Sequence, residues 1–482
     1  MSGLVDYVYE TQPFEHQRRV LEASYDREAF AILWEQGTGK TKAAIDTAAR
    51  LYQEGKINAL LVVAPNGVHR NWVTDELPVH LPKSIDARIE FWQTPKAGQK
   101  AHKLKMHLLG KHEGLKILCL SYPGFMTTAA MNYAAKFLKE NDCLMILDEA
   151  HHVKNPRAKR TKTVLKAGLH AKYKRILTGT PGDKPFDLYS QFQFLNKSIW
   201  KDVGFSSYHA FKNHFGVWQK MHGPHGQFDV LRAYKNLDDL YPITAQHSDR
   251  VLKEDVLDLP AKLYKRMPFE MTPRQRKYYN ELRDTLELEL DTGEYVDGSL
   301  ALVKLLRLQQ ITCGYIQASP DLPAVDIDGK NPRLEACVET FKDLPHQAII
   351  WARFSRDIDL ITDALGKSAV RYDGRITDDE ANYNKLAFQN GDRQFFVANP
   401  AKGSEGITLV GAKTVGFYSN SFKLLSRLQA EDRCHRIGQD TSVLYIDFFA
   451  PDTVDEKIID SLRSKYDVAA QMNGDKLRQW IT

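Results

Sequence analysis

The sequence predicts an α/β protein made of two parallel sheets flanked by helices, with helical insertions between and on them. Three observations carry that expectation. Short runs dense in Val, Ile and Leu recur between helical stretches, the mark of strands buried on both faces of a parallel sheet. The pattern breaks off near residue 190 and resumes near residue 347. At roughly 150 residues per domain, the 482-residue chain has room for two to four cored domains.

The expected strands of the first half are AFAIL at 29–33, ALLVVAP at 59–65, LKILCLSY at 115–122, CLMILDEA at 143–150 and RILTGTP at 175–181. Those of the second are QAIIWARF at 347–354, SAVRYDG at 368–374, RQFFVANP at 393–400, KTVGFYSN at 413–420 and SVLYIDFF at 442–449. Residues 190–250, rich in aromatics, His, Lys and Gln, are expected to form a helical insertion, and 273–313 has helical periodicity. DLPAKLYKRMPFEMTP at 258–273 reads as an extended linker, and the Pro-, Asp- and Gly-dense 319–332 as an exposed loop. The expected division is a first lobe over 1–250, a linker over 251–272, a helical insertion over 273–325 and a second lobe over 326–482.

Apolar residues at 43% and charged residues at 26% exclude wholesale disorder and a fibrous class. Five scattered cysteines form no C-x-x-C pair, so a reduced protein without structural metal is expected. The N-terminus lacks a basic region followed by an apolar run, and no apolar stretch is long enough to span a bilayer. A soluble, non-secreted protein is expected, cytoplasmic or, from a eukaryote, nuclear. The net charge of +5 does not by itself indicate nucleic acid, because a near-neutral sum can hide a basic face.

WEQGTGKT at 34–41 follows an apolar run and precedes a good helix pattern. Strand, glycine-rich turn and helix together aim backbone N–H groups at phosphates. Gly37 and Gly39 allow close approach, Lys40 reaches the β- and γ-phosphates and Thr41 holds Mg²⁺; Trp34 stands where a strict phosphate loop has Gly. The plain alternative is a lysine after a turn that starts a helix. ILDEAHH at 146–152 then puts Asp148 and Glu149 at a strand end, the first for Mg²⁺ and the second to deprotonate water. Alone, such a pair is often a favourably charged helix start. In RLQAEDRCHRIGQ at 427–439, Gln429, Arg433 and Arg436 are spaced for one helix face, so that two guanidiniums meet a γ-phosphate as arginine fingers. A solvated basic face is the alternative.

With those residues in place the chain resembles helicase superfamily two and, within it, the SWI/SNF-type ATPase family of duplex-DNA translocases, over about Phe14 to Lys465. PFEHQ at 13–17 resembles the Q motif, with Gln17 reading the base; LVVAPNGVHRNW at 61–72 resembles motif Ia, LTGTPGDKPFDLYSQ at 177–191 motif III, and ARFS at 352–355 lies where motif IV is expected. AKGSEGITL at 401–409 resembles motif V and QAEDRCHRIGQ at 429–439 motif VI. The HRIGQ ending and the Lys-Asn after DEAHHV separate it from DEAH-type RNA helicases, and TVDEKI at 453–458 resembles the segment that closes the family's second lobe.

The resemblance implies two tandem RecA-like lobes, ATP with Mg²⁺, and Thr38, Gly406 and Gln429 as further nucleotide contacts. It implies backbone contacts to duplex DNA from Asn66, Arg70, Thr178, Thr180, Gly403, Ser404 and Thr408. Residues 151–175 add a stripe without one acidic residue, including Lys154, Arg157 and Lys159, which reads as a phosphate track or as a solvated face. The chain departs from the family at Trp34, Asn399-Pro400, Glu405, Thr408 and Asp432. The expectation is a monomeric DNA translocase, with a protein partner for targeting. Its rivals are a strand-separating or branch-migrating helicase, for which no wedge is evident, the motor subunit of a larger complex, an RNA helicase, and a non-enzymatic DNA-binding scaffold.

Overall fold

A computed structural model describes residues 7–223, 226–291, 298–317, 322–403 and 407–475. The strands in chain order are β1 (Ala29–Trp34), β2 (Ala59–Ala64), β3 (Ala87–Phe91), β4 (Leu115–Ser121), β5 (Cys143–Asp148), β6 (Tyr173–Leu177), β7 (Gly216–Gly223), β8 (Gly226–Tyr234), β9 (Ser248–Val251), β10 (Lys262–Pro268), β11 (Tyr315–Ile316), β12 (Val325–Asp326), β13 (Ala348–Trp351), β14 (Ala369–Tyr372), β15 (Phe395–Ala398), β16 (Thr414–Phe417) and β17 (Val443–Phe449). Every apolar run expected to be a strand is one. Two compact units emerge: one runs to Val217 and adds Tyr234–Asp258 and Val468–Asp475, and the other comprises Trp218–Ala233 and Leu259–Asp467.

The first unit holds a seven-stranded sheet in the order β3-β4-β2-β5-β6-β1-β9, with all its pairs parallel. β2 and β5 are buried at every position, because helices cover both faces of a parallel sheet. One such cover is the helix Lys40–Gln53, whose Ala43, Ala44, Ile45, Ala48, Ala49 and Leu51 are fully buried. Register fixes the site: Leu177 of β6 pairs with Ile32 of β1 on one side and Asp148 of β5 on the other. The chain segments leaving β1, β6 and β5 therefore emerge side by side at one edge, the edge where α/β sheets bind ligands.

The segment expected as a helical insertion at 190–250 is only partly helical. Short helices pack through Tyr189, Trp200, Phe205, Phe211 and Phe215, whereas β7 and β8 form a separate two-stranded sheet and β9 joins the main sheet.

The second unit holds a six-stranded parallel sheet in the order β10-β17-β16-β13-β15-β14. β10 corrects the expected linker: Lys262 to Pro268 pair in full with Val443 to Phe449. Its half-buried and exposed positions largely alternate, as on an edge strand, so its sequence lacks the continuous apolar signal of the central strands. Beneath the sheet edge the Arg427 guanidinium, 3% exposed, reaches both Asp447 oxygens and donates from Nε to Glu431 at 2.8 Å, while Lys262 Nζ donates to Glu431 at 3.0 Å. All five cysteines are buried and free. Among the described residues no helix is long and apolar enough to cross a membrane.

Candidate nucleotide site and nucleic-acid interface

The loop after β1 has the conformation a phosphate cradle needs. Gly39 sits at φ +81° as the N-cap of the helix Lys40–Gln53, and a Cβ there would run into Gln17 Nε2. Gln17, from the helix Glu15–Ser24, accepts from Phe14 N at 2.9 Å and donates to the Gly39 carbonyl at 3.1 Å. The neighbouring His16, which the sequence did not single out, donates from Nε2 to the Thr38 carbonyl at 2.8 Å, and burial lowers its pKa. Thr38 Oγ1 donates to the Glu35 carbonyl at 2.7 Å, and Lys40 Nζ to the Trp34 and Glu35 carbonyls at 3.0 and 3.2 Å. Thr41 opens the helix beside Lys40 and is half-buried. Trp34 is fully buried and donates to Asp249 Oδ2 at 2.6 Å, so the departure from the family pattern tightens the β1–β9 edge.

At the end of β5, Asp148 accepts from Trp72 Nε1 at 2.9 Å and from the Glu149 N–H at 2.9 Å, while Tyr122 Oη donates to its carbonyl. Burial, and next the Glu149 charge, push the Asp148 carboxyl up to about 6. Glu149 takes a left-handed backbone, φ +49°, a conformation that costs a side-chain-bearing residue about 1 kcal/mol. Its Oε2 lies 3.3 Å from His151 Nδ1. A hydroxyl at Thr41 and a buried carboxylate at Asp148 suit a hard, oxygen-seeking cation, so the residues present fit Mg²⁺. Trp72 and Tyr122 were invisible in the sequence because each acts across dozens of residues.

In the second unit the arginines are brought together, though not by a shared helix. The helix Leu424–Glu431 ends where the Tyr445 hydroxyl and Cys434 Sγ donate to the Glu431 carbonyl, and Arg433 and Arg436 follow in turns. This corrects the expected single face with Gln429. Arg433 donates to the Gln429 and Ile407 carbonyls at 2.9 and 3.2 Å; Arg436 donates to Thr408 Oγ1 at 2.8 Å and to the Ile407 carbonyl at 3.4 Å. Thr408 is thus bound to an arginine, with its own carbonyl accepting from Gln389. Gly403 ends the short helix Pro400–Gly403; Ser404 and Gly406 lie outside the described residues.

The nucleic-acid candidates divide by exposure. Asn66, Arg70, Arg157 and Lys159 are exposed, as are Lys162 and Lys166. Lys154 is not an open cation: it pairs with Asp187 at 3.0 Å and Asp183 at 3.3 Å. Thr178 is fully buried and donates to the Thr180 carbonyl at 3.1 Å, which makes it a turn residue; Thr180 is half-buried. The stripe is also shorter than its sequence, since Arg175 is buried and spends its guanidinium on the Ser24, Tyr25, Arg27 and Lys174 carbonyls. The second sheet adds a cavity of about 200 Å³ at the ends of β13, β15 and β16, whose lining includes Arg353, Asn399, Phe417, Ser421, Lys423 and Ser426.

The family model described as SNF2-related domain matches residues 16–315, and that of the helicase conserved C-terminal domain matches residues 330–438. A probable chromatin-remodeling complex ATPase chain of Oryza sativa subsp. japonica is 26% identical over 456 residues, covering 89% of this chain and 38% of that protein. The ISWI chromatin-remodeling complex ATPase CHR11 of Arabidopsis thaliana is 25% identical over 449 residues, 89% of this chain and 40% of that one. The DNA annealing helicase and endonuclease ZRANB3 of Bos taurus is 25% identical over 460 residues, 92% and 39%. The chain therefore spans about two fifths of the length of these curated relatives. Among solved structures, a Sulfolobus solfataricus SWI2/SNF2 ATPase core in complex with dsDNA matches 99% of this chain and 100% of its own at 22% identity, with a TM-score of 0.44.

Proposed function

The chain belongs to the SNF2-related family of ATPases, and from that premise we propose that it is a nucleic-acid-dependent ATPase that translocates on duplex DNA. The observation that carries this reading is the convergence at one sheet edge of the Gly37–Thr41 loop with Asp148 and Glu149, held in register through Leu177.

Gln17 and His16 hold the loop from behind, so its N–H groups stay aimed at the β- and γ-phosphates. Lys40 exchanges the Trp34 and Glu35 carbonyls for phosphate oxygens. Thr41 and Asp148 would hold Mg²⁺, which when bound offsets phosphate charge. Glu149 orients the attacking water and takes its proton. Arg433 and Arg436, on the second lobe, meet the charge developing on the γ-phosphate, which couples hydrolysis to lobe closure. Gln429 and the motif V residues Gly406 and Thr408 complete that lobe's contribution.

Arg157, Lys159, Lys162 and Lys166, with Asn66 and Arg70, form the phosphate track of the first lobe, and the Arg353–Lys423 cavity seats the backbone on the second. Such contacts ignore base sequence and weaken steeply with salt. The protein works as a monomer in this reading, and a partner protein or segments outside this chain supply target choice. Similarity to a bovine DNA annealing helicase over 92% of this chain favours a second reading, in which translocation rewinds or branch-migrates strands.

The test compares ATP turnover with duplex DNA, single strands and RNA. Duplex DNA should stimulate most, and Lys40→Ala and Glu149→Gln should abolish turnover. Vigorous hydrolysis by Lys40→Ala, or equal stimulation by RNA, would refute the assignment.

A further inference from the structure

The segment Val468–Asp475 groups with the first unit, far in sequence from the rest of it, and its contacts there are specific. Arg250, in the edge strand β9, donates from Nη1 to the Leu33 carbonyl at 2.6 Å and the Gly179 carbonyl at 3.0 Å. Those carbonyls belong to the end of β1, just before the phosphate loop, and to the loop after β6. The other side of the same guanidinium is taken by Asp475, with Nε to Oδ1 at 3.1 Å and Nη2 to Oδ2 at 2.7 Å. Both side chains are mostly buried, at 15% and 12% exposure, which strengthens a bidentate pair relative to one in water.

Asp475 reaches Arg250 through a defined turn. The helix Val454–Asn473 closes with Asp475 N–H bonded to the Ala470 carbonyl and Gly474 N–H to the Gln471 carbonyl, the paired bonds of a Schellman stop. Gly474 takes φ +70°, and a Cβ on it would meet the Tyr241 ring at 2.8 Å. One turn back, Gln471 Nε2 donates to Asp238 Oδ1 at 2.9 Å. Three neighbouring residues thus dock on three first-unit residues, and the last supplies the counter-charge for Arg250. Gly179 also packs tightly on the end of β1: a Cβ there would lie 3.2 Å from the Trp34 carbonyl oxygen and the Gln36 nitrogen.

We infer that Arg250 is a positioning residue for ATP hydrolysis, pinning the loop after β6 to the end of β1, and that Asp475 is its latch, making the C-terminal segment a switchable part of the nucleotide site. Arg250 acts through the two carbonyls it holds. An engaged Asp475 keeps the guanidinium forked across both loops. A displaced one leaves a buried cation that must turn toward solvent, releasing the carbonyls. The inference rests on the ATPase reading above.

The test uses the full chain with Asp475→Asn, Asp475→Glu, Gly474→Ala and Arg250→Lys. Asp475→Asn and Gly474→Ala should lower kcat for duplex-stimulated ATP hydrolysis about five- to tenfold through lost positioning, with the duplex concentration for half-maximal stimulation unchanged. Arg250→Lys, which keeps the charge but loses the fork, should match them, and Asp475→Glu should recover at least half of the rate. Amide hydrogen exchange should rise in 35–39 and 178–182 but not in β2 or β4. Wild-type kcat and exchange in Asp475→Asn would overturn the inference, as would a loss that Asp475→Glu fails to recover with exchange raised across the sheet. If wild-type protein proves inert toward ATP, the functional reading fails by itself, and the exchange measurements still decide whether the latch exists.

Discussion

Replacing Asp357 by Asn should stabilise the second lobe at pH 9 and change it little at pH 5. Asp357 opens the helix Ser355–Leu365, is fully buried, and accepts from Ser419 Oγ at 3.2 Å. Arg333, a cation buried beside it, is in direct contact with another carboxylate, Asp455. Burial therefore dominates and pushes the Asp357 carboxyl up to about 7, the Arg333 charge offsetting it only in part. Against an unfolded value near 3.9, roughly 3 pKa units correspond to about 4 kcal/mol. The sign follows from proton uptake on folding: the contribution is complete below about pH 4 and is lost as pH rises through about 7. Asparagine is neutral throughout and gives up about 1 kcal/mol of hydrogen bonding. At pH 5 the unfolded carboxyl is already mostly ionised and about 1.5 kcal/mol of the contribution is gone, so the variant should lead by about 3 kcal/mol at pH 9 and by only about 0.5 at pH 5. Urea unfolding of the whole chain at pH 5, 7 and 9, read by hydrogen exchange in β15 and β16, measures the gap. Midpoints that run parallel across this range would mean an Asp357 ionised throughout and would refute the reasoning.

Three further outcomes are expected. Gly39→Ala should abolish ATP binding and cost about 1–2 kcal/mol from its left-handed backbone alone; Gln17→Ala in the same chain relieves the clash but not the backbone, so isothermal titration with ATP should show no rescue. Arg427→Ala should destabilise the second lobe by about 3–5 kcal/mol, because Asp447 and Glu431 lose a buried partner, and thermal melts should show that lobe unfolding first. Lys159→Gln with Lys162→Gln should weaken duplex binding about equally for all sequences and reduce the slope of log affinity against log salt by about 2, whereas Lys154→Gln, whose charge is matched by Asp183 and Asp187, should leave that slope unchanged.

The central strands were legible because β2, β5, β13, β15 and β16 are apolar at nearly every position and bounded by turn residues. The edge strands were not. In β3 only Glu90 is buried, β9 reads Ser-Asp-Arg-Val, and β10 alternates through Lys262, Tyr264 and Arg266, so each lacks the signal that double-sided burial imprints. The phosphate loop and the acidic pair were legible as local strings. Their support was not: His16, Trp72, Tyr122 and Arg250 act through contacts separated by 22 to 225 residues, and no local pattern records such distances. Charge was legible as a sum but not as an arrangement, which is why Arg175 and Lys154 joined a stripe that burial and ion pairing remove them from.

The pairing of Leu177 with both Ile32 and Asp148 makes β6 a ruler between the loop that holds phosphate and the carboxylates that act on it. A ruler constrains one edge of the sheet and frees the other. The connections entering β2, β4, β5 and β6, around residues 54–58, 112–114, 141–142 and 169–172, lie at the opposite edge and set no distance in the site. Peptide tags or whole domains inserted there should leave the chemistry intact, while a single residue added between Trp34 and Lys40, or between Leu177 and Thr180, should end it.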